Sequence, residues 1–171
     1  MRRSATTRSL AYQAGGFALI LALGAILAAL AFEHIGGYKP CPLCLKERYA
    51  YYAGVPLLFA ALVLLAARLN SYAEILFWLV ALAFVINAGL GVYHAGVEWK
   101  FWLGPDTCAA PAATITKGVG SFMSDLAKTR VIRCDEAPWH FMGLSFAGWN
   151  AVVSFVVATA AARAALTTHR E

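Results

Sequence analysis

The chain has 171 residues, 61% hydrophobic and 13% charged, with a net charge of +5 and a mean hydropathy of +0.65. A soluble domain carries roughly twice that charged fraction, so the composition excludes an ordinary soluble protein and fits one small membrane domain. The positive balance is no nucleic-acid stripe, because the bases are scattered at the edges of apolar runs, where membrane topology places them.

Four runs reach the roughly 20 apolar residues that a bilayer core requires: about Ala14–Phe32, Tyr49–Ala67, Tyr72–Tyr93 and Leu144–Leu166. Arg2, Arg3 and Arg8 precede the first, but its apolar region exceeds the ~7–15 residues of a cleaved signal, so a retained span is expected. A Gly-rich turn then leads into Cys41-Pro42-Leu43-Cys44. The second run carries Pro56, a predicted kink. After the third, Trp99, Phe101 and Trp102 suit the headgroup zone. Val119, Phe122, Met123 and Leu126 recur at helical spacing and predict a short amphipathic helix. Pro138 and Trp139 return the chain to the membrane. The expected fold is an all-α membrane protein, a four-transmembrane-helix bundle. It forms a single domain over 1–171, with outer loops over about 33–48 and 94–143.

Lys and Arg in the short segments set the orientation. Arg2, Arg3 and Arg8, the turn residue Arg68, and Arg163 and Arg170 share one side, which the positive-inside rule makes the cytoplasm. Lys39, Lys46 and Arg48 fall on the other side, and the long loop has five bases offset by five acids. With both termini inside, Cys41, Cys44, Cys108 and Cys134 all lie outside. That distribution points to disulfides in an oxidising compartment.

Three chemistries compete for the thiols. Zinc normally takes two closely spaced ligand pairs, and Cys108 and Cys134 are about 25 residues apart, so no metal is expected. Structural disulfides are a stronger alternative, since closing the Cys108–Cys134 loop would yield about 3.5 kcal/mol. A Cys41–Cys44 bridge closes almost no loop, however, and is better explained as one that turns over. A helix beginning within the motif would favour a thiolate there. Arg48, one turn beyond Cys44, would share its face and hold a thiolate or an anionic cofactor oxygen. The alternatives for Arg48 are snorkelling or pairing with Glu47.

Asn87 and Asn150 sit at similar depth in their spans and would bond each other across the bundle, with contact to a cofactor the second option. Glu33, His34 and His94 lie at span ends, where a lone histidine is more often structural than a proton carrier. Gly15, Gly16, Gly24, Gly89 and Gly91 would allow close helix contact.

Cys-Pro-Leu-Cys-Leu-Lys-Glu-Arg opening the second span, a distant pair at Cys108 and Cys134, and Pro138-Trp139 before the fourth span together resemble the bacterial disulfide bond formation protein DsbB family. The resemblance runs through nearly the whole chain. It implies an inner-membrane enzyme that reoxidises a DsbA-like periplasmic thiol oxidase and passes electrons to ubiquinone or menaquinone. Cys108 would form the mixed disulfide and Cys134 would exchange with Cys41. Cys44 would face the quinone, with Arg48 holding a quinone oxygen. A vitamin K epoxide reductase-like protein is the runner-up, but there the C-x-x-C follows the loop cysteines, the reverse of the order here. A non-catalytic membrane protein with structural disulfides is the third reading.

Overall fold

The structure, a computed structural model, describes residues 2–105, 134 and 139–169, with side chains from residue 8 onward. Four helices, α1 (Arg2–His34), α2 (Pro42–Ala66), α3 (Asn70–Glu98) and α4 (Phe146–His169), form the bundle. Each contains a stretch long and apolar enough to cross a membrane. The amphipathic helix expected over Val119–Leu126 lies outside the described residues, as does Cys108.

The helices are apolar almost all round, as a bilayer solvent requires. Phe17, Ile20, Phe59, Leu82 and Ile86 are exposed on the outside of the bundle. Selectivity of burial comes from size and polarity. In α2 the buried stripe is Leu43, Glu47, Tyr51, Gly54, Leu58, Ala61 and Leu65, and in α3 it includes Phe77, Val80, Phe84, Asn87, Gly91 and His94. The buried face of α4 is mostly alanine, which lets helices approach closely where lipid removes any hydrophobic drive between them.

A polar layer ties three helices together. The Tyr51 hydroxyl donates to Asn150 Oδ1 at 2.7 Å, and Asn87 Nδ2 donates to Ser154 Oγ at 2.9 Å and to Asn150 Oδ1 at 3.3 Å. The expected Asn87–Asn150 contact is therefore present, as part of a larger network.

The two ends of the bundle differ. At one, Arg8 donates to the carbonyls of Leu65 (2.6 Å) and Ala66 (3.2 Å), closing the C-terminus of α2. Beside it the chain turns through Arg68 in the left-handed region (φ 61°). At the other end a hairpin not anticipated from periodicity precedes α4. Strands β1 (His140–Phe141) and β2 (Leu144–Ser145) pair antiparallel. Met142 and Gly143 both take positive φ in the two-residue turn, as such hairpins require. Leu144 and Ser145, expected in the fourth span, are thus strand, and Ser145 Oγ accepts from Gly148 N–H (3.2 Å) at the start of α4.

The glycine expectations hold only in part. A Cβ at Gly91 would meet Ala151 backbone nitrogen at 2.9 Å and one at Gly15 would meet Phe77 at 2.9 Å, whereas Gly16, Gly24 and Gly89 face open space. The last three lie off the packed stripes, so composition alone misplaces them. Gly91→Ala should destabilise the protein by about 1–3 kcal/mol through overpacking, while Gly24→Ala should be neutral or slightly stabilising. Thermal unfolding of the two variants in one detergent checks this.

Candidate redox site

The break between α1 and α2 builds the site. Cys41 has extended backbone (φ −76°, ψ 166°) and is the N-cap of α2, with Pro42 as the first helical residue. The Cys44 N–H therefore points back at Cys41 Sγ, 3.2 Å away. The same turn brings Cys44 Sγ to 2.8 Å from Cys41 Sγ, with both cysteines free.

α3 supplies the third group. His94 Nε2 is 3.5 Å from Cys41 Sγ, and its Nδ1 is 2.8 Å from Glu47 Oε1. His94 and Glu47 are only 2% and 5% exposed, so imidazole and carboxylate are each other's solvent. Glu98 Oε1 stands 4.0 Å from Nε2, and its other oxygen accepts from Ser145 Oγ. Cys41 thus faces a backbone N–H, a thiol and an imidazole. The hydrogen bond from Cys44 is the largest influence holding the Cys41 thiol down, to about 5; burial opposes it and the bond from His94 adds to it.

Cys41, Cys44, Cys134, Arg48 and Asn150 line one cleft of about 790 Å³, walled by apolar side chains of α1 and by Val153 of α4. Cys134 is buried, packs in one cluster with Cys41, Leu43 and Val97, and is disulfide-bonded. Arg48 donates to Glu33, not to Glu47 as one reading of the sequence allowed, because Glu47 faces α3 and His94. Three donors converge on Asn150 Oδ1, while its buried Nδ2 has no partner among the described residues. An apolar cleft with a guanidinium and a dithiol at its rim fits a flat, lipid-soluble carbonyl compound such as a quinone.

The family profile described as "Disulfide bond formation protein DsbB" matches residues 12–164. The chain belongs to the DsbB family. "Disulfide bond formation protein B" of Marinobacter nauticus is 30% identical over 142 residues, covering 80% of this chain and 81% of the relative. The protein of the same name from Aromatoleum aromaticum is 30% identical over 163 residues, covering 82% and 87%. That of Hahella chejuensis is 27% identical over 150 residues, covering 84% and 87%. No solved structure matches. Membership, together with the Cys41–Cys44–His94 cluster, assigns this DsbB-family chain a thiol and quinone redox role in general terms. Its four long apolar helices make it a multi-pass membrane protein.

Of the residues singled out in the sequence, Cys41, Cys44, Cys134 and Arg48 meet at this cleft. Cys108 lies outside the described residues. His94 and Glu47 were undervalued: each continues the buried stripe of its helix, at the spacing of Asn87 and Gly91 before one and of Leu43 and Tyr51 around the other. Two ionisable residues on buried stripes were the available signal.

In the reduced protein, alkylation of Cys41 should rise with pH through a midpoint near 5, against about 8.5 for an ordinary thiol. Quenched iodoacetamide labelling followed by mass spectrometry reads it. His94→Ala should move that midpoint upward; an unmoved midpoint would mean that the imidazole does not support the thiolate.

Proposed function

We propose that the protein is a protein-dithiol:quinone oxidoreductase of the bacterial inner membrane, which reoxidises a periplasmic DsbA-like thioredoxin-fold oxidase and passes the electrons to ubiquinone or menaquinone. The observation that carries this reading is the meeting of Cys41, Cys44 and Cys134 with Arg48 on one apolar cleft. In the proposed orientation the end with Arg8 and Arg68 faces the cytoplasm and the cysteine end the periplasm.

The reduced partner's thiolate attacks Cys108 and displaces Cys134 as a thiolate. Cys134, packed beside Cys41, attacks Cys41 Sγ, breaks the Cys41–Cys44 bond and leaves the electron pair on Cys44. The partner's second thiol then releases Cys108, which reclaims Cys134 and frees Cys41. The loop pair is again oxidised, and Cys41 and Cys44 hold two electrons and two protons.

His94, oriented by Glu47, stabilises Cys41 as it leaves by donating from Nε2. Re-forming the Cys41–Cys44 bond gives up two electrons and two protons, which a bound quinone, a two-electron, two-proton acceptor, would take. Arg48 would hold a quinone oxygen, its guanidinium lying where negative charge develops.

Purified protein mixed with a reduced thioredoxin-fold substrate and a soluble quinone should oxidise the substrate and bleach the quinone in equal amounts. A substrate that stays reduced, with unchanged quinone absorbance, would defeat the reading. Arg48→Ala should raise the KM for quinone on the order of 10–100-fold, the loss of a charge-assisted hydrogen bond of about 1.5–3 kcal/mol. Stopped-flow thiol exchange with the partner should stay within about twofold. Unaltered quinone dependence would confine Arg48 to pairing with Glu33.

A further inference from the structure

We propose that the reduced Cys41–Cys44 pair, with His94, is a binding site for a soft divalent cation of the Zn²⁺ class, and that the metal-bound and disulfide states exclude one another. The spacing of the four cysteines alone argues against zinc. What changes this is a nitrogen ligand from another helix. Cys41 Sγ, Cys44 Sγ and His94 Nε2 lie within 4.8 Å of one another. Zn–S and Zn–N distances of about 2.3 and 2.0–2.1 Å at a tetrahedral angle set an S···N edge of about 3.5 Å. That is the observed separation of Cys41 Sγ from His94 Nε2, 3.5 Å. The two sulfurs, now 2.8 Å apart, need to open by about 1 Å to reach the S···S edge.

One further feature is that of a metal-bound histidine. Metal-ligating imidazoles donate their other N–H to a carboxylate, which fixes the tautomer and the ring plane. His94 makes that contact through Nδ1 to Glu47, 2.8 Å away, leaving Nε2 directed at the sulfurs. Glu98 Oε1 is 4.0 Å from Nε2 but not within 4.8 Å of both sulfurs, so the fourth position of a tetrahedral ion falls to water or another exogenous ligand. Binding releases any protons held by the two thiols and Nε2. A d¹⁰ ion neither gives nor takes electrons, so both sulfurs stay reduced until the metal leaves. Only then can they lose two electrons and join. In its consequence for turnover, this inference rests on the redox reading above: metal arrests the enzyme in its reduced state.

The full chain in detergent, as C108S/C134S so that only this pair carries thiols, is reduced, freed of reductant without oxygen, and titrated with Co²⁺ and then Zn²⁺. One Co²⁺ per chain should bind, with thiolate charge-transfer and tetrahedral ligand-field bands, and Zn²⁺ should displace it. The same protein with Cys41–Cys44 oxidised should show no bands, a control that needs no further substitution. Glu47→Gln should weaken binding on the order of 10–100-fold and His94→Ala at least as much, with helical circular dichroism unchanged. Absence of the bands in the reduced form, their presence in the oxidised form, or undiminished affinity in His94→Ala would overturn the site. Zn²⁺-loaded, reduced wild-type protein should fail to reduce quinone in a single turnover until a chelator is added; reduction at the metal-free rate would overturn the arrest. Metal binding by a protein that never reduces quinone would support the site and sink the redox reading alone. Quinone turnover without metal binding would do the reverse.

Discussion

A carboxylate and an imidazole buried against each other, Glu47 of α2 and His94 of α3, are the contact on which the rest of the site depends. Removing one member of such a pair leaves an uncompensated polar group in a low-dielectric interior, at a cost of about 3–5 kcal/mol. The pair therefore locks the registry of α2 against α3 and fixes which imidazole nitrogen faces Cys41. Cys41 in turn lies where the helix N-terminus offers N–H groups to a negative sulfur. The Cys41 sulfur, its donors and the helix that presents it are settled by one interhelical contact.

Around that contact the bundle separates two tasks. The polar layer of Tyr51, Asn87, Asn150 and Ser154 holds α2, α3 and α4 together. Between α1 and the other helices the packing opens, and this is where Arg48 and Glu33 meet. The hairpin and the stacked Trp139 and Phe146 (4.8 Å between ring centroids) cover the cysteine end, and Ser145 links that cover to Glu98. Start of α4, end of α3 and dithiol are thus mechanically joined.

Much of this was legible in the chain. Run length and hydropathy specify four spans because lipid demands them of any helix, and the C-x-x-C followed by Arg48 marks the redox end because a bridge that closes no loop has little structural purpose. The hairpin escaped notice because two-residue strands carry no periodicity. Three of the five glycines were misjudged because an apolar helix in lipid does not reveal which face is packed. His94 looked like an isolated interfacial histidine, since its partner Glu47 is 47 residues away.

By itself, then, the sequence determined the span number, the fold class, the family likeness and the motif that carries the thiols. These depend on local composition and on spacing within one segment. Only the tertiary structure decided which acid pairs with which base, with Glu33 taking Arg48 and Glu47 taking His94. It also decided that Cys41 is the sulfur facing an imidazole. The reason is physical: in helices apolar on every face, the rotation and depth of one against another are set by a few buried polar contacts between segments far apart in the chain. No single stretch contains both partners.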